Sequence, residues 1–160
     1  MVSDWLKFAE AKNAALLVAA SALVLALVEY LPDEKCPTFI WWCFVVGNVC
    51  LVLSAVICLL SFIPQVKFPW IASRRKTSPD DNLFFFGHIA DYSAKEFVAA
   101  LYHAEGVQPT VNKLQVDLAG QVITNARIGL RKFRLFAVSA WVAVIGITLL
   151  SVAVVGVLLQ

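Results

Sequence analysis

An uncharged run of 26 residues, Thr38–Ile63, constrains the fold of this chain more than any other feature, and Pro64 follows it directly. A helix rises about 1.5 Å per residue, so such a run can cross the ~30 Å hydrocarbon core of a bilayer with some tilt. A second uncharged run covers Leu135–Leu159. A shorter one covers Asn13–Val28, and the span that contains it reaches Pro32, with Glu29 near its end. The sequence therefore predicts three transmembrane helices, at about residues 13–32, 38–63 and 135–160.

Charged residues are concentrated between the second and third of these runs. They make up only 15% of the 160 residues, whereas an average soluble domain has about 25%. Ten of the 13 basic residues fall within residues 64–134, namely Lys67, Arg74, Arg75, Lys76, Lys95, Lys113, Arg127, Arg131, Lys132 and Arg134. Because Lys and Arg accumulate on the cytosolic side of a membrane, we expect residues 64–134 and the N-terminus to be cytosolic. The turn between the first two spans and the C-terminus then face outward.

Local signals predict a mainly helical segment between the second and third spans. Ser93 and Glu96 have the spacing of a capping box, and Gly106 is placed to end the helix that begins there. A further helix is predicted from Thr110 through the third span to Gln160, with Val111, Leu114, Leu118 and Val122 on one face. Such a continuous helix could carry a small displacement from the soluble segment to a membrane span. The aromatic stretch Asn82–Ile89 has no helical period and is predicted to be a buried strand or a tight loop.

We therefore predict an all-α membrane protein with three transmembrane helices and a small, mainly helical cytosolic insert. Residues 1–63 would form an N-terminal tail and a transmembrane hairpin, residues 64–134 a cytosolic sensing segment, and residues 135–160 the third transmembrane helix. Small residues on the first span recur at helical spacing, which predicts close packing against a helix of this chain or of another subunit. They are Ala15, Ala19, Ala22 and Ala26.

The sequence shows few of the residue patterns that an enzyme active site needs. Its only histidines, His88 and His103, are 15 residues apart on different predicted elements, and no hydrolase, phosphate-loop or metalloprotease motif is present. The four cysteines, Cys36, Cys43, Cys50 and Cys58, form no C-x-x-C pair and are predicted to be small packing residues. We expect no catalysis, no metal and no cofactor. The second and third spans carry no ionisable side chain, which also disfavours a proton-coupled transporter.

Three stretches together resemble a known family. They are Glu10-Ala11-Lys12-Asn13-Ala14-Ala15-Leu16-Leu17, then Asn82–Ile89 with Glu96-Phe97, and finally Asp117-Leu118 through Ile128, Lys132 and Phe133. This pattern resembles the transmembrane effector family of bacterial Pycsar anti-phage defence systems. The resemblance implies an effector in the bacterial inner membrane that responds to a cyclic pyrimidine mononucleotide, cyclic CMP or cyclic UMP, made by a partner cyclase. It implies that the effector then impairs the inner membrane, so that the infected cell dies by abortive infection.

A nucleotide ligand needs a cation for its phosphate and an aromatic surface for its base. Arg127 and Arg131 are four residues apart on one predicted helix face and could bind the phosphate together. Phe85 and His88 are the candidates for the base. The competing interpretations are that the arginines contact anionic lipid headgroups and that His88 is a half-buried structural residue.

We expect the lipid bilayer, the cyclase product and other copies of this chain as partners, and no nucleic acid. An alternative from another functional class is a small structural or scaffolding membrane subunit that binds a partner protein and no nucleotide. A nucleotide cyclase encoded next to this chain would favour the effector over the scaffold.

The charge distribution predicts a testable topology. A reporter fused after Gln65 or Phe133 should report the cytosol, and one inserted at Asp33 should report the periplasm, because ten basic residues lie in the long segment and one in the short turn. Alkaline phosphatase and green fluorescent protein fusions measure the two sides independently. The opposite pattern at any of these positions contradicts the orientation.

Overall fold

The computed structural model describes residues 2–28, 37–63, 75–108 and 111–159. The described residues form five α-helices and no strand, which confirms the all-α prediction. The helices are α1 (Val2–Val28), α2 (Thr38–Phe62), α3 (Phe86–Ile89), α4 (Ala94–Glu105) and α5 (Lys113–Leu158). Some features of the sequence analysis lie outside the described residues. They are the end of the first predicted span, the short turn with Cys36, the basic residues Lys67 and Arg74, and Thr110.

Three of the helices, α1, α2 and α5, are long and apolar enough to cross a membrane, so this is a multi-pass membrane protein. Helix α1 begins at Val2, well before the predicted start of its span at Asn13. Helix α5 has 46 residues, and at about 1.5 Å per residue it is roughly 69 Å long, more than twice the ~30 Å hydrocarbon core. Its charged N-terminal part must therefore extend out of the hydrocarbon, and its uncharged part from Leu135 fits within it.

The chain divides into two compact units. One, which we call the membrane unit, comprises Glu10–Ile63 and Arg134–Gln160. The other, which we call the aqueous unit, comprises Met1–Ala9 and Pro64–Phe133.

Within the membrane unit, α2 and α5 approach each other closely at two glycines. A Cβ atom added to Gly146 would lie 2.9 Å from the Gly47 carbonyl oxygen and 3.1 Å from the Cys50 Cβ. A Cβ on Gly47 would likewise meet the Gly146 oxygen at 3.0 Å. Small residues allow this approach, which is how membrane helices gain packing energy without a hydrophobic driving force between them.

A polar contact between the same two helices lies in their buried interface. The Ser139 hydroxyl donates to the Ser54 carbonyl oxygen at 2.8 Å, and the two hydroxyl oxygens are also 2.8 Å apart. The Cys58 sulfur lies 3.1 Å from the Ser139 hydroxyl. Cys43 and Cys58 are buried free thiols, and Cys50 is half-buried. These groups satisfy one another where no water is available to them.

Helix α1 packs through a different face from the one predicted. Leu16, Val24 and Leu27 contact the core of the membrane unit, and Ala20 is buried beside them. The predicted alanines, Ala15, Ala19, Ala22 and Ala26, are all exposed. Successive residues turn by about 100° around a helix, so Ala15 lies far from the face that contains Leu16 and Ala20. Of the two alternatives for these alanines, packing within the chain is therefore wrong.

The glycine contact makes a direct prediction. Gly146→Ala should destabilise the membrane unit by about 1–3 kcal/mol, because the new methyl group meets backbone atoms that cannot move aside. Gly120→Ala is the matched control, since a Cβ there meets nothing within 4 Å and alanine favours the helix by up to about 1 kcal/mol. Thermal unfolding in detergent measures both. A Gly146→Ala protein as stable as the control would contradict the close approach.

Candidate functional site

The aqueous unit is built around aromatic and small aliphatic side chains. Phe86 stacks on Phe133 of α5 with ring centroids 5.1 Å apart. The ring centroid of Trp5 in α1 lies 5.7 Å from that of Phe86. Ile89, Phe97 and several residues of α5 complete the core. Phe86 is therefore where the N-terminal residues, α3 and α5 meet within this unit.

Helix α4 begins and ends as predicted. The Ser93 hydroxyl accepts the Glu96 backbone N–H at 3.3 Å, and the Glu96 carboxylate accepts the Ser93 N–H at 2.9 Å, which completes the capping box. Gly106 ends the helix in the left-handed conformation, with φ of 69°. Phe97 is buried and His103 is exposed.

Of the two alternatives predicted for the aromatic stretch Asn82–Ile89, the buried strand is wrong, and the segment is a tight turn followed by a short helix. The Asn82 side chain accepts the Phe84 N–H at 2.9 Å and starts a turn, which leads into the one-turn helix α3. The Asn82 backbone N–H donates to His88 Nδ1 at 2.9 Å and closes the segment on itself. An Asn side chain that bonds its own backbone two residues on favours a turn over an extended strand.

Phe85 and His88 lie next to each other at the edge of this segment. Their rings are perpendicular, with centroids 5.3 Å apart, and the side chain of Phe85 is partly exposed. Gly87 leaves room for the Phe85 ring, because a Cβ there would lie 2.5 Å from the ring. Phe84 is 69% exposed beside them. The structure therefore brings together the two residues proposed for base stacking and adds Phe84, an aromatic surface that the sequence analysis had not singled out.

Arg127 and Arg131 differ in their surroundings. The Arg127 guanidinium donates from Nε to the Ala90 carbonyl and from Nη2 to the Tyr92 carbonyl, both at 2.9 Å. It thereby fixes the loop between α3 and α4 to α5. Arg131 lies one turn further along α5 and is half-exposed. The Nε and Nη2 hydrogen bonds of Arg127 go to these backbone carbonyls and not to the side chains of Phe85 or His88.

Asp81 organises a polar cluster next to the α3 segment. Its side chain is only 4% exposed, accepts the Ser78 backbone N–H at 2.9 Å and pairs with the guanidinium of Arg75. The Tyr92 hydroxyl lies 3.3 Å from the same carboxylate, and His88 Nδ1 lies 3.8 Å from it. Sequence reasoning missed this cluster, because only folding brings Asp81 and Tyr92 together.

The cluster shifts two pKa values. The hydrogen bond from Ser78 holds the pKa of Asp81 below its usual range, and the Arg75 guanidinium adds to this, although burial acts in the opposite direction. Burial raises the pKa of Tyr92, and the negative charge of Asp81 raises it further. Asp81 is thus a stable anion that holds residues 75–92 together.

The start of α5 has a buried face and an exposed apolar face. Asn112 and Gln115 cap the helix reciprocally, with bonds of 2.9 and 3.1 Å. Leu114 and Leu118, predicted to share a face with Val122, are 67% and 53% exposed, whereas Val122 is half-buried. Ala119, Ile123 and Ala126 face the core instead. The face with the most large apolar residues is therefore not the face that packs against the core.

A shallow depression of about 510 Å³ lies where α4 and α5 begin, lined by Lys95, Val111, Asn112, Lys113 and Val116. Its two lysines make it a second place where an anion could be held. No group of three or more metal-ligating side chains occurs among the residues that the structure describes.

The Asp81 cluster predicts a pH-dependent stability. Since the pKa of Asp81 is lowered in the folded state, its contribution is present above the unfolded pKa of about 4 and is lost as pH falls through the folded value. Asp81→Asn should therefore lower the unfolding temperature at pH 7, and the difference from the parent chain should shrink in acid. Asp80→Asn, an adjacent exposed carboxylate, is the matched control and should have little effect. Equal effects of the two substitutions, measured by circular dichroism in detergent, would contradict this role for Asp81.

Comparison with known proteins matches this chain to one family. The sequence model of the Pycsar effector protein domain matches residues 1–159. The Pycsar effector protein PtPycTM of Propioniciclava tarda is 28% identical, over 99% of this chain and 76% of that protein. The Pycsar effector protein RsPycTM of a Rhizobium species is 38% identical, over 83% of this chain and 77% of that protein. No solved structure was found to match. The chain therefore belongs to the Pycsar effector family of anti-phage defence.

Proposed function

We propose that this effector binds a cyclic pyrimidine mononucleotide, cyclic CMP or cyclic UMP, through its aqueous unit and then impairs the bacterial inner membrane. The nucleotide would be made by a partner cyclase after infection, and loss of the membrane barrier would kill the cell before phage mature. The protein would act without catalysis and without a cofactor.

The observation that carries this proposal is the pairing of three membrane-crossing helices with a separate aqueous unit in a Pycsar effector. The described part of α2 and the part of α5 from Leu135 contain no Asp, Glu, Lys, Arg or His. Proton-coupled transport and voltage sensing usually need at least one. An effect on the barrier itself is therefore the simplest action for these helices.

Orientation follows from the same proposal. A cyclase product accumulates in the cytosol, and the basic residues of the aqueous unit favour the cytosolic side of the inner membrane. The N-terminus would then be cytosolic and the C-terminus periplasmic.

The nucleotide site would use the groups that the aqueous unit leaves exposed. Phe85, with His88 at its edge, offers an aromatic surface on which a base can stack, which is worth about 1–3 kcal/mol per base. Arg131 would bind the phosphate. Arg127, which bonds the carbonyls of Ala90 and Tyr92, would contribute mainly by holding the adjacent loop in place.

Arg131→Ala should weaken binding of cyclic CMP or cyclic UMP at least about tenfold, because a hydrogen bond to a charged group is worth about 1.5–3 kcal/mol. Titration calorimetry in detergent measures the affinity, and cyclic AMP is titrated in the same way for comparison. In liposomes loaded with a self-quenched dye, the parent chain should release dye when the pyrimidine nucleotide is added. The variant should need a correspondingly higher concentration.

Two further variants make the experiment decisive. Arg134→Ala removes a nearby exposed cation and should leave the affinity unchanged. Lys95→Ala combined with Lys113→Ala empties the depression of its charges, and a loss of affinity only there would move the site away from Arg131. Absence of both binding and dye release with either pyrimidine nucleotide would contradict the proposed function and favour the scaffolding alternative.

A further inference from the structure

An apolar stripe on α5 is exposed outside the hydrocarbon core. Leu114 and Leu118 of α5 are 67% and 53% exposed, and Val111, two residues before the helix begins, is 46% exposed. All three belong to the aqueous unit. Exposed apolar side chains are expected in a membrane-spanning segment, where lipid covers them. At the start of α5, these three form a surface that water solvates poorly.

The stripe has the spacing of a coiled-coil seam. Its members are separated by three and four residues, and the same alternation continues through Gln121, Asn125 and Ile128. At about 100° per residue, the five of these positions that lie in α5, from Leu114 to Ile128, cluster on one side of the helix, away from the core residues Ala119, Ile123 and Ala126. One face of α5 thus packs within the unit. A second face, which we call the seam (Leu114–Ile128), is exposed from Leu114 to Asn125 and half-buried at Ile128.

We infer that a second copy of this chain covers the seam, with the two α5 helices side by side and parallel. Identical copies enter the bilayer in the same orientation, so their α5 helices run in the same direction and present identical seams to each other. A two-fold dimer needs such a self-complementary surface. The alternation of three and four residues keeps the two seams in contact along their length.

Polar residues within the seam favour a second protein copy over lipid as its cover. Gln121 and Asn125 lie among the apolar positions and are exposed. Against hydrocarbon their amides would lose hydrogen bonds, whereas opposite the same residue of a partner they can bond across the interface. A single Asn at such a position is known to select two strands and a fixed register.

Charge placement is compatible with this pairing. In a parallel pair, Asp117 would flank the seam opposite Val122 of the second helix, and Thr124 would lie opposite Gly129, so no like charges are brought together. The seam ends before Lys132, where the next position of the pattern would place two cations against each other. Its 15 residues extend about 22 Å, which is a short contact. Anchoring in one bilayer compensates by raising the effective concentration of the two copies.

Cysteine cross-linking of the full chain in membranes tests the seam. Leu114→Cys, at a contacting position, is compared with Lys113→Cys, its exposed neighbour about 100° away around the helix. Copper phenanthroline oxidises two thiols to one disulfide and accepts the two electrons. A disulfide requires Cα atoms within about 7 Å, so Leu114→Cys should give at least about tenfold more cross-linked dimer than Lys113→Cys. The parent chain measures the background from its native cysteines.

Other outcomes overturn the inference. Equal cross-linking of the two variants would show random collision. A monomeric product that joins the new cysteine to a native one would place a segment of the same chain on the seam. An absence of cross-linking at Leu114 and, in a second variant, at Leu118 would show that the two helices are not in contact.

A second measurement separates the seam from folding. Because Leu114 and Leu118 lie outside the core of the unit, changing both to Lys should leave the helical content of the chain, measured by circular dichroism, unchanged. Energy transfer between labelled copies in liposomes should nevertheless fall severalfold. Unchanged energy transfer in this folded variant would contradict the dimer. Neither measurement uses a nucleotide or membrane damage, so the dimer and the proposed function can fail independently.

Discussion

The hydrocarbon core of the bilayer imposes the constraint on which the rest of this structure depends. Backbone polar groups in that core have no water to bind, so each crossing must be a helix that satisfies its own hydrogen bonds. Helices α1, α2 and α5 meet this requirement by length and apolarity. Between α2 and α5, the buried hydroxyls of Ser54 and Ser139 bond to each other. Gly47 and Gly146 let the backbones approach closely enough for this contact.

Outside the hydrocarbon the physical problem is different, because the described part of the aqueous unit is small and its core is limited. Local polar contacts therefore determine much of the structure of this unit. The capping box sets the start of α4, Arg127 fixes two backbone carbonyls to α5, and Asp81 collects donors from Arg75 and Ser78. Each of these contacts provides hydrogen-bond partners for polar groups that would otherwise destabilise a unit with a small apolar core.

Features that depend on a few neighbouring residues could be predicted from the sequence, and features that depend on a partner surface could not. The spans follow from composition, the capping box from Ser93 and Glu96, and the continuity of α5 from the absence of a proline. The strand alternative for Asn82–Ile89 was wrong because a single side-chain bond from Asn82 outweighs the strand preference of three phenylalanines. The positions of Phe85 and His88 could be nominated from residue type. The bonds of Arg127 to Ala90 and Tyr92 could not, because they join residues more than 30 positions apart.

The choice of buried face on α1 and α5 shows why apolar periodicity alone was insufficient. A periodic stripe predicts that some surface will cover it, but it does not say which of two stripes faces the core. On α5, burying Leu118 would gain about 1.5–3 kcal/mol, yet it would also turn Gln121 and Asn125 toward the core, where each unsatisfied amide costs about 1–3 kcal/mol. The stripe of Ala119, Ile123 and Ala126 contains no polar side chain and lets the helix approach Phe86 and Phe97 closely. The stripe without polar side chains therefore faces the dry core. The stripe that contains the amides stays outside the core, where a surface with hydrogen-bonding groups can bond to them.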